Sequence, residues 1–242
     1  MMSDWQGAWY IFRSEMRQSW IGVLFTLLFF SYFGLITMPN FIEMLVQEDP
    51  NTDIGWITDF LYLTITPIMS FLMNRSIFRC RTDDPFTKRL AYYKTMPISL
   101  NAIVIARMIQ MFAVLITVGT FFYSLQYTLA DTLRELLTIE QYLIFVFIWI
   151  GYSIAIGCVY VYFEQAHSGR VYFYVSLLFY LPYIILGILL WVYRPGVLFH
   201  LILVAKNMEI IWPILMNVFA VGVVAVTAVM VRRRLAARDF QH

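Results

Sequence analysis

Charge is what this sequence is short of. Only 13% of its 242 residues are Asp, Glu, Lys or Arg, while 61% are apolar. A soluble domain carries about 25% charged and roughly 45–50% apolar residues. Too few polar side chains are therefore present to clothe a water-facing surface, and disorder is excluded on the same ground. Cysteine is scarce as well: Cys80 and Cys158 lie far apart, outside any CxxC or Cys/His spacing. They read as free thiols, with neither a disulfide framework nor a zinc site. The net charge of +2 gives no reason to expect nucleic acid as a partner. Catalytic signatures are missing too. The chain has no G-x-x-x-x-G-K-S/T phosphate loop, no H-E-x-x-H, no G-x-S-x-G, and no acidic cluster fit for magnesium diphosphate. His167, His200 and His242 are isolated and read as interfacial or tail residues. No catalytic residue, metal ligand or resident cofactor is expected. Asp4, Arg13, Glu15 and Arg17 break up the first nineteen residues, so no cleavable leader is expected either.

What is present is long apolar runs. A helix needs about 20 mostly apolar residues to cross roughly 30 Å of hydrocarbon. Six stretches qualify: Trp20–Pro39, Gly55–Met73, Met108–Leu129, Gln141–Phe163, Val171–Tyr193 and Trp212–Val231. Barrel strands would alternate over about 10 residues, whereas these blocks are continuously apolar. The expected fold is an all-α membrane protein, one transmembrane domain over residues 1–242. Placing the N-terminus in the cytoplasm puts only Arg134, Arg194 and Lys206 of the 17 basic residues outside. The first outer loop, Asn40–Ile54, then holds Glu43, Glu48, Asp49 and Asp53 and no basic residue. The positive-inside rule favours this orientation: a multi-pass cell-membrane protein with both termini cytoplasmic.

The connections carry their own signals. Trp5, Trp9, Phe12 and Met16 recur at helical spacing, with Arg13 and Arg17 on a more polar side. Residues 5–19 read as an interfacial helix, or else as a protruding start of the first span. In the longest inner connection, Asn74–Arg107, Asp84 precedes Pro85, an N-cap followed by proline at the first helical position. Phe86, Leu90 and Tyr93 then form one apolar stripe on a helix over 85–95, leaving Lys88, Arg89 and Lys94 for solvent, lipid headgroups or a partner. Pro97 stops that helix, and Ser99 or Asn101 can cap the next. Between the last two spans, Pro195-Gly196 leads into Val197–Ala205, which is too short to cross. It reads as a re-entrant or outer-surface helix, or as an amphipathic outer loop.

The inner thirds of the spans hold no Asp, Glu, Lys or Arg, which argues against an ion-coupled carrier. Asp59, Glu164 and Glu209 fall near span ends or in loops, where solvation is expected. Thr64, Thr66 and Ser70 accompany Pro67, and Asn217 lies in the last span. Ser153 and Gly157 form a small-xxx-small pair. The fifth span is aromatic from end to end, with Tyr180 and Tyr183 near its middle, where a hydroxyl needs a partner. Thr64, Thr66, Tyr180, Tyr183 and Asn217 are the candidates for a substrate path; helix packing is the competing role of each.

Tyr92-Tyr93-Lys94-Thr95-Met96-Pro97-Ile98-Ser99, followed by Ile103-Val104-Ile105-Ala106-Arg107, resembles a local pattern of the membrane subunits of type-2 ABC transporters, the ABC-2 permease family. That pattern is a short helix, a Thr-x-Pro-Val/Ile-Ser turn, and an apolar helix with an early basic residue. Where many members carry Glu-Arg-Gly-Thr before the turn, this chain has Arg81-Thr82-Asp83-Asp84. The resemblance implies that 85–95 is a coupling helix whose Asp84, Phe86, Lys88, Arg89, Leu90, Tyr93 and Lys94 contact a cytosolic ATPase subunit. Two such subunits would bind ATP and magnesium, so this chain would need no cofactor and would not itself be an enzyme. It implies further a second permease chain, identical or related, surrounding membrane lipid, and export of an amphipathic or lipid-like cargo such as a peptide antibiotic or lipid conjugate. Two other classes compete. One is a membrane-embedded enzyme acting on lipid-linked substrates; the other is a non-transporting scaffold or immunity factor.

Overall fold

Five of the described helices begin where an N-cap side chain satisfies free amides of the first turn. In a computed structural model, which describes residues 3–47, 55–73, 84–96 and 98–237, Ser3 and Gln6 form a capping box that opens α1 (Asp4–Gln18). Asp84 caps α4 (Pro85–Thr95), Ser99 caps α5 (Leu100–Leu129), and Thr138 with Gln141 opens α7 (Ile139–Ala166). Ser168 caps α8 (Gly169–Leu178). The remaining helices are α2 (Trp20–Gln47), α3 (Gly55–Ile65), the short α6 (Asp131–Leu136), α9 (Tyr180–Tyr193), α10 (Val197–Lys206) and α11 (Ile211–Ala237). No strand occurs among the described residues. Arg75, Arg79, Cys80, Arg81, Asp83, Pro97, Arg238, His242 and residues 48–54, read from the sequence as part of an outer loop, lie outside them.

Among the described residues, five helical segments are long and apolar enough to cross a bilayer: α2, α5, α7, α8 together with α9, and α11. The chain is a helical membrane protein. The second of the six stretches, Gly55–Met73, is not one continuous α-helix. The α-helix there is 11 residues long and gives way to a 3-10 turn, Thr66–Ser70. Pro67 is the cause, because it has no N–H to donate to the Leu63 carbonyl four residues back. The neighbouring α7 supplies the missing donors. Tyr152 donates its hydroxyl to the Leu63 carbonyl at 2.7 Å, and Ser153 donates to the Thr66 carbonyl at 3.1 Å. Pro182, which has no N–H to donate to the Leu178 carbonyl, lies just past the interruption at Phe179 between α8 and α9. Pro39, read as the end of the first span, instead lies inside α2.

Packing centres on large aromatic side chains. Tyr62, Trp149, Phe30, Phe41, Phe122 and Phe145 are fully buried where α2, α3, α5 and α7 meet. Tyr62 accepts a hydrogen bond from the Gln126 amide at 2.6 Å inside this cluster. On the other side of α7, α11 approaches so closely at Gly151 that a Cβ there would sit 3.1 Å from the Met216 backbone carbon. Asp59 is 1% exposed, not solvated as its position near a span end suggested. It accepts hydrogen bonds from the Val197 and Leu198 amides at 2.8 and 2.9 Å. These are the first amides of α10, whose own N-cap, Gly196, has no side chain to offer. This cap holds α10 against α3 and α7. A second apolar cluster, including Ala8, Ile11, Leu90, Ala102, Val231 and Leu235, joins α1, α4, the start of α5 and the end of α11 at one end of the bundle.

Candidate functional site

At that end, α4 is bound to the rest of the chain along one whole face. Its N-cap, Asp84, holds a left-handed backbone (φ 41°). One carboxylate oxygen accepts from the Thr87 amide at 3.1 Å and from the Gly169 amide at 2.8 Å, so a single side chain caps α4 and ties it to the start of α8. Two residues on, the Phe86 ring meets Tyr172 of α8 edge-on at 5.2 Å. Leu90, the next residue of the stripe, is buried against α1 and α5.

Arg89 projects from the same face into a charged cluster. It donates to Glu164 of α7 at 2.9 Å and lies 3.4 Å from Glu15 of α1. Glu15 also accepts the Tyr93 hydroxyl at 2.6 Å. Arg107 of α5 donates through Nε and Nη2 to the other oxygen of Glu164, and through Nη1 to Gln110 at 2.8 Å. The Arg107 guanidinium also lies over the Phe71 ring, 5.3 Å from its centroid. Two guanidiniums thus face two carboxylates, and a small cleft between α1, α4, α5 and α7 opens onto the cluster. Burial, and then the adjoining Glu15 carboxylate, push the Tyr93 phenol well above its ordinary value. Burial alone would depress the Arg89 guanidinium, but the carboxylates of Glu15 and Glu164 outweigh it and hold the group more firmly protonated.

Both Glu164 oxygens are held by arginine, one by Arg89 and the other by Arg107. Among the described residues no three His, Cys, Asp or Glu side chains are grouped to hold a metal ion. What the cluster does is fasten four helices, α1, α4, α5 and α7, through charge-assisted hydrogen bonds, which are about twice as strong as neutral ones.

The structure divides the residues that sequence had grouped on α4. Phe86 and Leu90 are 5% and 2% exposed, covered by this chain itself. Arg89, which sequence left for solvent or a partner, turns inward because two carboxylates from other helices await it. Lys88 and Lys94 face outward, and with them Tyr92 and Thr95, which the sequence reading placed in the turn motif but not among the contact residues. The substrate-path candidates do not converge. Thr64 and Thr66 donate to their own helix, at the Phe60 and Tyr62 carbonyls, and Thr66 is fully buried. Asn217 bridges α11 to the Phe147 carbonyl of α7 at 3.0 Å. Tyr183 pairs with Tyr160 at 3.2 Å, and Tyr180 lies on the outer surface. Glu15 and Glu164 were missed as members of a site. The available signal was one acidic residue closing an apolar run, Glu164, and one inside an amphipathic helix, Glu15. Comparison with protein-family models, curated proteins and solved structures found no match.

Proposed function

We propose that this chain is the membrane-spanning subunit of an ATP-driven exporter of the ABC-2 kind, with α4 as the lever through which a separate ATPase acts. One observation carries the reading. The inner face of α4 is fastened to α1, α5, α7 and α8, while Lys88, Tyr92, Lys94 and Thr95 face outward. A helix so built passes any force on its outer face into several membrane helices at once. In this reading both termini are cytoplasmic. The second stretch crosses as a sixth, broken span, since 11 α-helical residues and five in a 3-10 turn rise about 26 Å together. Hydrolysis takes place in two ATPase subunits, and two permease chains share the path of an amphipathic or lipid-like cargo.

Affinity purification of the tagged chain in mild detergent tests this directly. A nucleotide-binding subunit is expected to co-purify, and its ATPase rate is expected to depend on this chain. Lys88→Glu with Tyr92→Ala removes that dependence while leaving the fold intact, because both side chains point away from the protein. A chain that purifies without any nucleotide-binding subunit, or a double variant with undiminished ATPase coupling, contradicts the proposal.

A further inference from the structure

Charge on α1 is sorted by face. Both of its acidic residues turn inward: Asp4 accepts from Ser99 and Asn101 at 2.6 and 3.0 Å, and Glu15 engages Arg89 and Tyr93. Both of its basic residues, Arg13 and Arg17, face outward. The face packed on α5 consists of Gly7, Ala8 and Ile11, and a Cβ at Gly7 would lie only 3.1 Å from that of Ala102. Sequence had pointed to the Trp5, Trp9, Phe12 and Met16 stripe as the apolar side, yet Trp5 and Trp9 remain 62% and 50% exposed. Successive positions four apart share one helix ridge. Trp5, Trp9, Arg13 and Arg17 are such a series, with two indoles followed by two guanidiniums.

The surroundings extend the pattern. Arg232 lies within electrostatic reach of the Asp4 carboxylate, so the exposed run Arg232–Arg234 closing α11 stands beside the start of α1. Just past α1, Trp20 and Ile21 open the first apolar span with their side chains exposed. An exposed ridge of two indoles followed by two guanidiniums, opposite a protein-packed face, fits a helix lying in a bilayer interface, rings in the acyl boundary and guanidiniums at headgroup level. A neutral leaflet would satisfy the indoles but not the outward positive charge.

We propose that the outer ridge of α1, with the arginines that end α11, is a binding surface for anionic phospholipid in the bilayer leaflet. The test uses the full chain in nanodiscs containing brominated phosphatidylglycerol or, at equal mole fraction, brominated phosphatidylcholine. The tryptophan signal lost in a Trp5→Phe/Trp9→Phe variant isolates the ridge. That signal is expected to be quenched more strongly by the anionic lipid. Each guanidinium near an anionic surface contributes about fivefold, so Arg13→Gln/Arg17→Gln lowers the preference roughly 25-fold. Arg13→Lys/Arg17→Lys retains it. Equal quenching by both lipids, or a preference untouched in the glutamine variant, overturns the proposal. Neither readout involves an ATPase, so this outcome is separate from that of the transporter reading.

Discussion

Removing the Glu164 carboxylate is the perturbation whose cost the structure ranks most clearly. The Glu164 side chain is 6% exposed and that of Arg107 11%, whereas Arg89 is 30% exposed. In Glu164→Gln, Arg107 keeps Gln110 and the Phe71 ring but loses the carboxylate that pairs with it among the described residues. Breaking a buried ion pair from one side costs about 3–5 kcal/mol. Glutamine preserves one acceptor oxygen, which places the loss near the lower end, at about 3 kcal/mol. Arg89→Gln is far cheaper, at about 1 kcal/mol or less, because a part-exposed pair is screened by solvent. For a chain of this size 1 kcal/mol corresponds to about 2–4 °C in Tm. Thermal unfolding in nanodiscs, followed by tryptophan fluorescence, is therefore expected to fall by roughly 6–12 °C for Glu164→Gln, and by no more than about 4 °C for Arg89→Gln. The double variant Arg107→Met/Glu164→Leu recovers most of the loss, since an apolar pair of similar volume replaces a buried ion pair at little cost. Equal shifts in the two single variants, or a double variant worse than Glu164→Gln, would refute the account of the cluster.

Three other predictions rest on single contacts. Tyr152→Phe leaves the Leu63 carbonyl without its donor and costs about 1–3 kcal/mol, and adding Pro67→Ala restores stability by returning a backbone N–H; a chemical-denaturation series showing no rescue would count against this explanation of the broken span. Asp59→Ala uncaps α10 at a cost of about 1–2 kcal/mol, seen as faster amide hydrogen exchange at Val197 and Leu198, and unchanged exchange would contradict the capping role. Hydrogen bonds from Ser99 and Asn101 hold the Asp4 carboxyl below its ordinary value of 3.8. A depressed folded value means the contact stabilises fully above about pH 3.8 and is lost as pH falls through the lower, folded value. Acid titration followed by Trp5 and Trp9 fluorescence is thus expected to show α1 loosening in that range, and the step to vanish in Asp4→Asn.

Local signals were legible in the sequence and distant ones were not. Asp84-Pro85 and the stop before Pro97 define α4 at the bounds the structure gives it, because capping and proline chemistry act within a few residues. Ser99 caps α5 as expected, while Asn101, its rival, bonds to Asp4 of α1 instead. Hydropathy found the apolar blocks but not their breaks. Pro67 was visible, yet whether a proline kinks or ends a helix depends on the neighbour that satisfies the freed carbonyls, here Tyr152 and Ser153. Asp59 and Glu164 were misread as solvated for the same reason. Their partners, Leu198 and Arg107, lie 139 and 57 residues away, and no local pattern announces such pairs.

The most direct test of the lever is photo-crosslinking from α4 in cells, with benzoyl-phenylalanine placed at Tyr92 or at Leu90. The outward position 92 is expected to capture a cytosolic ATPase subunit, and the buried position 90 to crosslink only within this chain. Capture of an ATPase from position 90 but not from 92, or labelling of position 92 by a membrane-impermeant reagent from outside the cell, would contradict the account.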